Sequence, residues 1–190
     1  GKGWLLGETI ITGICQGYIQ TTPIQLCLMT AQIANGGYKI YPYIVAGDEQ
    51  KNQPADKYTP LYENSKNIRI IKDAMFGSTN EVMGTSYKSR IDNPKYQFAG
   101  KTGTAQVKKI TERDRELDLK TFEIPYEERD HALYVAFGPY KNPRYALSVI
   151  VEHGGNGSTT AAPMAKKLFK LIIDRHNLRQ SMDDKRYLEI

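Results

Sequence analysis

One segment of the chain concentrates side chains that could act on a ligand. Gly100-Lys101-Thr102-Gly103-Thr104-Ala105-Gln106-Val107 sets a cation, two threonine hydroxyls and an amide around a bare glycine. Thr102, Thr104 and Val107 are β-branched, which favours an extended backbone, so the segment reads as a strand. Alternation then puts Thr102, Thr104 and Gln106 on one face and Lys101, Gly103 and Ala105 on the other. Such a row suits an extended, polar, anionic ligand lying along a sheet edge, with Gly103 letting the backbone approach it. The tripeptide Gly100-Lys101-Thr102 also resembles the end of a phosphate-binding loop, but that motif needs glycine where the chain has Lys95, and a helix where Gly103 and β-branched residues follow. A nucleotide site is excluded on both counts. The bland alternative is an exposed polar strand, since a three-residue match arises by chance in roughly a few per cent of chains this long.

Other candidate chemistry is thinner. His131, His153 and His176 have no metal-ligand spacing, and nothing resembles a G-x-S-x-G nucleophile elbow. His131, alternating in a strand, reads as structural. His153, with the glycines after it, reads equally as a mobile lip or a plain strand-to-helix loop. Cys15 and Cys27 form no C-x-x-C pair, so both read as buried thiols, Cys15 in a strand and Cys27 on a helix. No metal or other cofactor is expected.

The elements that would position the segment follow from periodicity. At 190 residues, with 40% hydrophobic and 25% charged residues, the chain can bury a core as one domain. Its net charge of +5 is mild. The densest charge, Lys108 to Asp130, mixes both signs, so it reads as a solvated loop and nucleic-acid binding is not expected. No apolar run approaches a membrane span, and no signal peptide is expected within these residues. Glu8 to Ile14 reads as a short strand. Pro23 opens a helix with Ile24, Cys27, Leu28, Ala31 and Ala34 at helical spacing, stopped by Asn35-Gly36-Gly37. Tyr41 to Val45 reads as strand-like, followed by a polar loop. Ile68, Ile71, Met75 and Val82 mark a second helix from about Ser65. His131–Phe137 and Tyr145–Glu152 read as an antiparallel hairpin turned by Pro139, Asn142 and Pro143. A last helix starts near Thr160 with Met164, Leu168 and Leu171/Ile172 as its buried stripe, and the tail from Asn177 reads as frayed. The sum is α+β: an antiparallel sheet flanked by helices.

Lys-Thr-Gly is also the third signature of penicillin-recognising serine enzymes, whose set is S-x-x-K, S-x-N and K-T-G. The surrounding text is more specific. Gly13-Ile14-Cys15-Gln16-Gly17-Tyr18 followed by Thr21-Thr22-Pro23-Ile24-Gln25-Leu26 resembles the G-x-G-Q-G…T-P-x-Q-[LM] run of high-molecular-weight class B penicillin-binding proteins. Gly100 to Val107 resembles their third strand. Arg129-Asp130-His131-Ala132, Phe137-Gly138-Pro139-Tyr140, Asn142-Pro143 and Glu152-His153-Gly154-Gly155 resemble their last two strands, in order and spacing. The resemblance is strongest to the transpeptidases of rod-shape elongation and covers about residues 7 to 175.

It implies the penicillin-binding/serine β-lactamase-like transpeptidase fold and a peptidoglycan D,D-transpeptidase that acts through a serine acyl-enzyme. Stem peptides ending in D-Ala-D-Ala are the implied substrate, β-lactams the implied inhibitors, and the cell-elongation machinery the implied partner, on the periplasmic side of the bacterial inner membrane. Lys101 would support the S-x-N serine and Thr104 would supply an oxyanion N–H. Thr102 and Thr104 would bind the substrate carboxylate beside Gly103, with Gln106 and Gln16 as supporting polar groups. The departure is equally plain. No S-x-x-K occurs in the chain, and Ser78-Thr79-Asn80 falls inside the second helix, on the wrong side of the family's order, where it reads as a polar helix end. Residues 1–190 are therefore expected to be the C-terminal portion of a transpeptidase domain, inactive without the upstream part and with an open edge at the last strand. The alternative is a non-catalytic module that holds D-Ala-D-Ala peptides or a protein in the same groove.

Overall fold

The computed structural model describes residues 3–13, 19–45, 59–108 and 119–188. Three antiparallel strands in the order β1-β2-β3 form the sheet: β1 Ala99–Ala105, β2 His131–Gly138 and β3 Tyr145–Val151. β2 lies in the middle, and its run Ala132-Leu133-Tyr134-Val135-Ala136-Phe137 is apolar on both faces, as a central strand covered twice must be. Thr102 stands opposite Tyr134, Thr104 opposite Ala132 and Lys101 opposite Val135. Val135 in turn stands opposite Ser148 of β3. Among the described residues, the outer edges of β1 and β3 carry no further strand.

Helices cover both faces. α1 is Leu6–Gly13, α2 Pro23–Ala34, α3 Ser65–Asn80 and α4 Ala162–Leu188, the last entered through a π-helical turn at Gly157–Ala161. On one face Phe98, Ala132, Tyr134 and Ala136 pack against Ala161, Ala162, Ala165, Phe169 and Ile173 of the turn and α4. Phe98 stacks on Phe169 with ring centroids 4.9 Å apart. On the other face Ile33 and Ala34 of α2 and Met75 of α3 close over Ala99 and Phe137. The Cys27 thiol of α2 donates to the Ala146 carbonyl of β3 at 3.4 Å. The result is an α/β/α layering built on an antiparallel sheet, in agreement with the α+β reading.

The helix boundaries have local causes. Thr22 caps α2: its hydroxyl accepts from the Gln25 N–H while the Gln25 amide oxygen accepts from the Thr22 N–H, at 3.3 and 2.8 Å. Gly36 and Gly37 end it at φ of 96° and 93°, a region that favours glycine. Asn64 caps α3 by accepting from the Lys66 N–H at 2.9 Å.

Several expectations are corrected. Glu8 to Ile14 is not a strand: its described part, to Gly13, lies in α1, whose first turn is held by Glu8 accepting from the Leu5 N–H and by the Thr9 N–H donating to the Leu5 carbonyl. Tyr41 to Val45 forms no strand; the chain there touches sheet geometry only at a Tyr38–Pro60 bridge. Ile24, Ile71 and Val82 are exposed, and the buried positions of α2 and α3 are Thr30, Ile33, Ala34, Ile68, Met75 and Thr79. The stripe of α4 is shifted by one position: Ala162, Ala165, Phe169 and Ile173 are buried, while Met164, Leu168 and Leu171 face out. Alanines at the contact let the helix axis approach the sheet, so Ala162 and Ala165 mark the seam together with Phe169 and Ile173. The tail does not fray at Asn177, because α4 continues to Leu188. Cys15, Gln16 and the polar loop at 46–58 lie outside the described residues.

The charged loop is described at its two ends. Residues 119–130 form two short 3-10 turns, Thr121–Glu123 and Tyr126–Glu128, fastened to the start of β2. Lys108 pairs with Glu128 at 2.6 Å, and the Val107 N–H donates to Asp130 at 3.2 Å. These residues clasp the end of β1 rather than float in solvent.

Candidate functional site

β1 is the strand that the sequence singles out, and its seat is built from behind. Gly100 is buried, and a Cβ placed there would lie 2.3 Å from the Tyr134 hydroxyl and 2.5 Å from its Cζ. Only glycine fits at that point. Tyr134 is fully buried, and its hydroxyl shares hydrogen bonds with Thr79 at 2.9 Å and Ser86 at 3.0 Å. Burial pushes the Tyr134 phenol above its ordinary value, an effect partly offset by the hydrogen bonds from Ser86 and Thr79. Asn80 donates from its side-chain amide to the Phe98 carbonyl at 2.9 Å, tying the end of α3 to the residue before β1. Ser78-Thr79-Asn80 is thus the polar helix end that its sequence predicts, and it also braces the sheet. Thr79 and Asn80 hold the site strand, while Ser78 pairs with Thr85 at 3.1 Å.

On this support Lys101 is exposed, Thr102 and Gly103 are half-buried and Thr104 is exposed. The Lys101 ammonium donates to the Thr102 carbonyl at 2.9 Å and to the Thr102 hydroxyl at 3.3 Å. A cation and a hydroxyl are therefore held together at an open strand edge. The register puts Thr102 and Thr104 on the face of Tyr134 and Ala132, and Lys101 and Gly103 on the face of Val135 and Leu133. Gly103 is also a packing point: a Cβ on Gly157 would come within 2.7 Å of the Gly103 carbonyl oxygen. β1 ends at Ala105, so strand alternation does not extend to Gln106, which is exposed just beyond it. The structure thus brings Lys101, Thr102, Gly103 and Thr104 together and leaves Gln106 at the margin.

His131 and His153 sit just beyond Thr104, His131 standing opposite Ala105, whereas His176 lies on α4 with its Nε2 2.7 Å from Arg144. The His153 N–H donates to His131 Nδ1 at 2.9 Å, and His153 Nδ1 lies 3.1 Å from the Arg129 carbonyl. His153 has φ of 54° and its ring lies 5.0 Å from Tyr126, so the turn after β3 is pinned. Among the described residues no group of three His, Cys, Asp or Glu side chains could hold a metal ion.

What such an edge can do is bind an anion. A lysine head and threonine hydroxyls on an outer strand edge offer charge-assisted hydrogen bonds to a carboxylate or a developing oxyanion. A sequence model of the penicillin-binding protein transpeptidase domain matches residues 1–170 of this chain. The chain belongs to that transpeptidase family. Among curated relatives of this transpeptidase chain, the peptidoglycan D,D-transpeptidase MrdA of Salmonella typhimurium (strain SL1344) is 35% identical over 185 residues, covering 91% of the chain and 28% of the relative. Among solved structures, the penicillin-binding protein PBP2 of Helicobacter pylori, in complex with MreC, superposes with a TM-score of 0.73 at 30% identity, covering 91% of this chain and 28% of that one. PBP2 of Pseudomonas aeruginosa in complex with WCK 5153 gives a TM-score of 0.71 at 36% identity, covering 90% and 34%. The fold is that of penicillin-binding transpeptidase domains. The chain spans little more than a quarter of the MrdA relative's length.

The buried hydroxyl trio was not visible in the sequence. Thr79 and Tyr134 are 55 positions apart and Ser86 and Tyr134 are 48 apart, so no local pattern joins them. The one usable signal was the tyrosine inside an otherwise apolar central strand, whose hydroxyl must find a partner when buried.

Proposed function

We propose that residues 1–190 are the C-terminal portion of a transpeptidase domain and supply the Lys101 side of a serine D,D-transpeptidase active site. The complete protein would cross-link peptidoglycan stem peptides. The observation that carries the reading is the Lys101–Thr104 edge of β1, open to solvent and braced from behind through Gly100 and Tyr134.

Each group then has a role in the reaction. A serine outside this chain attacks the carbonyl of the penultimate D-alanine, the terminal D-alanine leaves, and the acyl ester passes to an amine of a neighbouring strand. Lys101 supplies positive charge and donors next to the serine machinery. The Thr102 and Thr104 hydroxyls receive the substrate carboxylate, and Gly103 keeps the strand bare enough for the peptide to lie against it. The Thr104 N–H is one oxyanion donor, a contact whose loss costs about 3–4 kcal/mol of transition-state stabilisation. Gln106 supports the mouth of the groove. β-Lactams acylate the same serine in place of the stem peptide.

The relatives support a set of partners for the complete protein. The rest of the transpeptidase domain closes over β1 from the upstream side and pairs with the edge of β3. The elongation machinery is the wider assembly, as the Helicobacter pylori relative in complex with MreC suggests. The site works on the periplasmic side of the inner membrane, although no helix among the described residues is long and apolar enough to cross one.

The test is covalent labelling by a fluorescent penicillin, read by gel and intact mass on the protein as its gene encodes it and on this chain alone. Label that requires both the upstream segments and Lys101 supports the proposal. Label on the chain alone would reveal a nucleophile within it, with Ser78 the first to replace. An intact protein that binds D-Ala-D-Ala peptides without acylation would be the non-catalytic module instead.

A further inference from the structure

Away from β1, the segment after α3 bridges the first turns of α4 and leaves an open groove of about 1030 Å³ between them. Its floor is apolar, with Ile91 and Tyr96 packed onto the core beneath and Pro163 at the helix side. Its lining carries four lysines, Lys88, Lys166, Lys167 and Lys170, and no carboxylate.

Two of the acids nearest in sequence are already engaged. Asp92 pairs with Arg90 at 2.9 Å, and Asp174 accepts a hydrogen bond from the Tyr96 hydroxyl. The Glu81 carboxylate folds back over Gly77, 3.1 Å from where a Cβ would stand. Among the described residues, none of the four lysines forms an ion pair. Four like charges around one concavity repel one another, and an anionic occupant relieves that repulsion while the concave wall limits screening.

We infer that this groove is a docking site for an acidic segment of a partner protein, in which carboxylates meet the four lysines and apolar side chains reach the Ile91–Tyr96 floor. The shape selects the occupant. A bilayer surface reaches the lysine heads at the rim but not an apolar floor behind them. A polyphosphate or nucleic-acid strand satisfies the charge and leaves that floor uncovered. A peptide that alternates carboxylates with aliphatic side chains satisfies both.

The test uses the complete protein and a short fluorescein-labelled peptide of alternating Glu and Leu, followed by fluorescence anisotropy. K166E/K170E should weaken binding by about tenfold or more, and the milder K166Q/K170Q by several-fold, because both act at the contact. K66E/K141E makes the same change in net charge on α3 and the β2–β3 turn and should weaken it by less than about twofold. Replacing Leu by Ser in the peptide should cost several-fold through loss of the floor contacts. Equal weakening by the two charge-reversed pairs would overturn the inference in favour of bulk charge. So would lysine-dependent binding to phosphatidylglycerol vesicles or polyphosphate that the peptide does not compete away.

Discussion

Replacing Gly100 by alanine tests whether the site strand is braced as described. The new methyl would stand 2.3 Å from the Tyr134 hydroxyl, 2.5 Å from Cζ and 2.6 Å from Cε1, well inside contact distance. Tyr134 cannot swing away cheaply, because it is fully buried and its hydroxyl is shared with Thr79 and Ser86. Overpacking of this kind costs about 1–3 kcal/mol. Pulling the phenol from its partners adds about 1–3 kcal/mol for buried hydroxyls left unsatisfied. A total of about 4 kcal/mol corresponds to a fall of about 10 °C in the unfolding midpoint for a chain of this size. Gly103→Ala is the matched control on the same strand, since its added Cβ meets only the Leu133 Cβ at 3.2 Å and should cost less than about 1 kcal/mol. The assay is thermal unfolding by circular dichroism, repeated in a Tyr134→Val background where the obstacle is gone. There the Gly100→Ala penalty should shrink to under about 1 kcal/mol, a coupling that a double-mutant cycle reads directly. An alanine at position 100 as mild as one at 103, or a penalty unchanged without the tyrosine ring, refutes the reasoning.

Three further outcomes are expected. Lys101→Ala in the complete protein should slow penicillin acylation by about 10²–10⁴-fold, while unfolding moves by no more than about 0.5 kcal/mol because Lys101 is exposed; stopped-flow labelling and a melt separate the two. Thr79→Val keeps the shape of the buried site and removes one partner from the Tyr134 and Ser86 hydroxyls, which still bond each other at 3.0 Å, so denaturant titration should show a loss of about 0.5–1.5 kcal/mol. Tyr140 donates to Asp73 at 2.6 Å, and that hydrogen bond, more than burial, pushes its phenol up to about 12 from 10.0. A phenol raised on folding stabilises fully below its unfolded value and loses that contribution as pH climbs through its folded one. Stability should therefore fall between about pH 10 and 12, and Tyr140→Phe should flatten the slope in urea melts taken across that range.

The sheet was legible because its strands declare themselves one at a time: β2 and β3 are apolar runs separated by Pro139, Asn142 and Pro143, and β1 is a polar, β-branched edge. α2 was legible from Pro23, its apolar spacing and the Asn35-Gly36-Gly37 stop, and α3 from its apolar spacing alone. α1 was not, because Thr9, Ile10, Ile11 and Thr12 favour extended backbone and none of its residues is buried. With no core contact to select its face, a few local hydrogen bonds decide it. The phase of α4 was misread for a different reason. Counting large apolar side chains picks Met164 and Leu168, whereas the close approach to β2 is made by Ala162 and Ala165, whose importance appears only once the opposing Tyr134 and Phe98 are in place. At the candidate site, the strand and facing of Lys101 to Thr104 could be read from residue types and alternation, but what holds that strand could not. The brace joins a helix end to a strand across more than forty positions, through three hydroxyls that individually carry no signal in a sequence.

The thiol that joins α2 to β3 has a use of its own. Burial pushes the Cys27 pKa above 9.0, so at neutral pH it is a thiol and not the thiolate that alkylating and oxidising reagents attack. Cys27 is half-buried, so with Cys15 replaced by serine a maleimide should label it slowly in the folded chain and faster once α2 parts from the sheet, and the rise in rate reports that opening. A native side chain thus times the detachment of one layer from another, with no probe introduced.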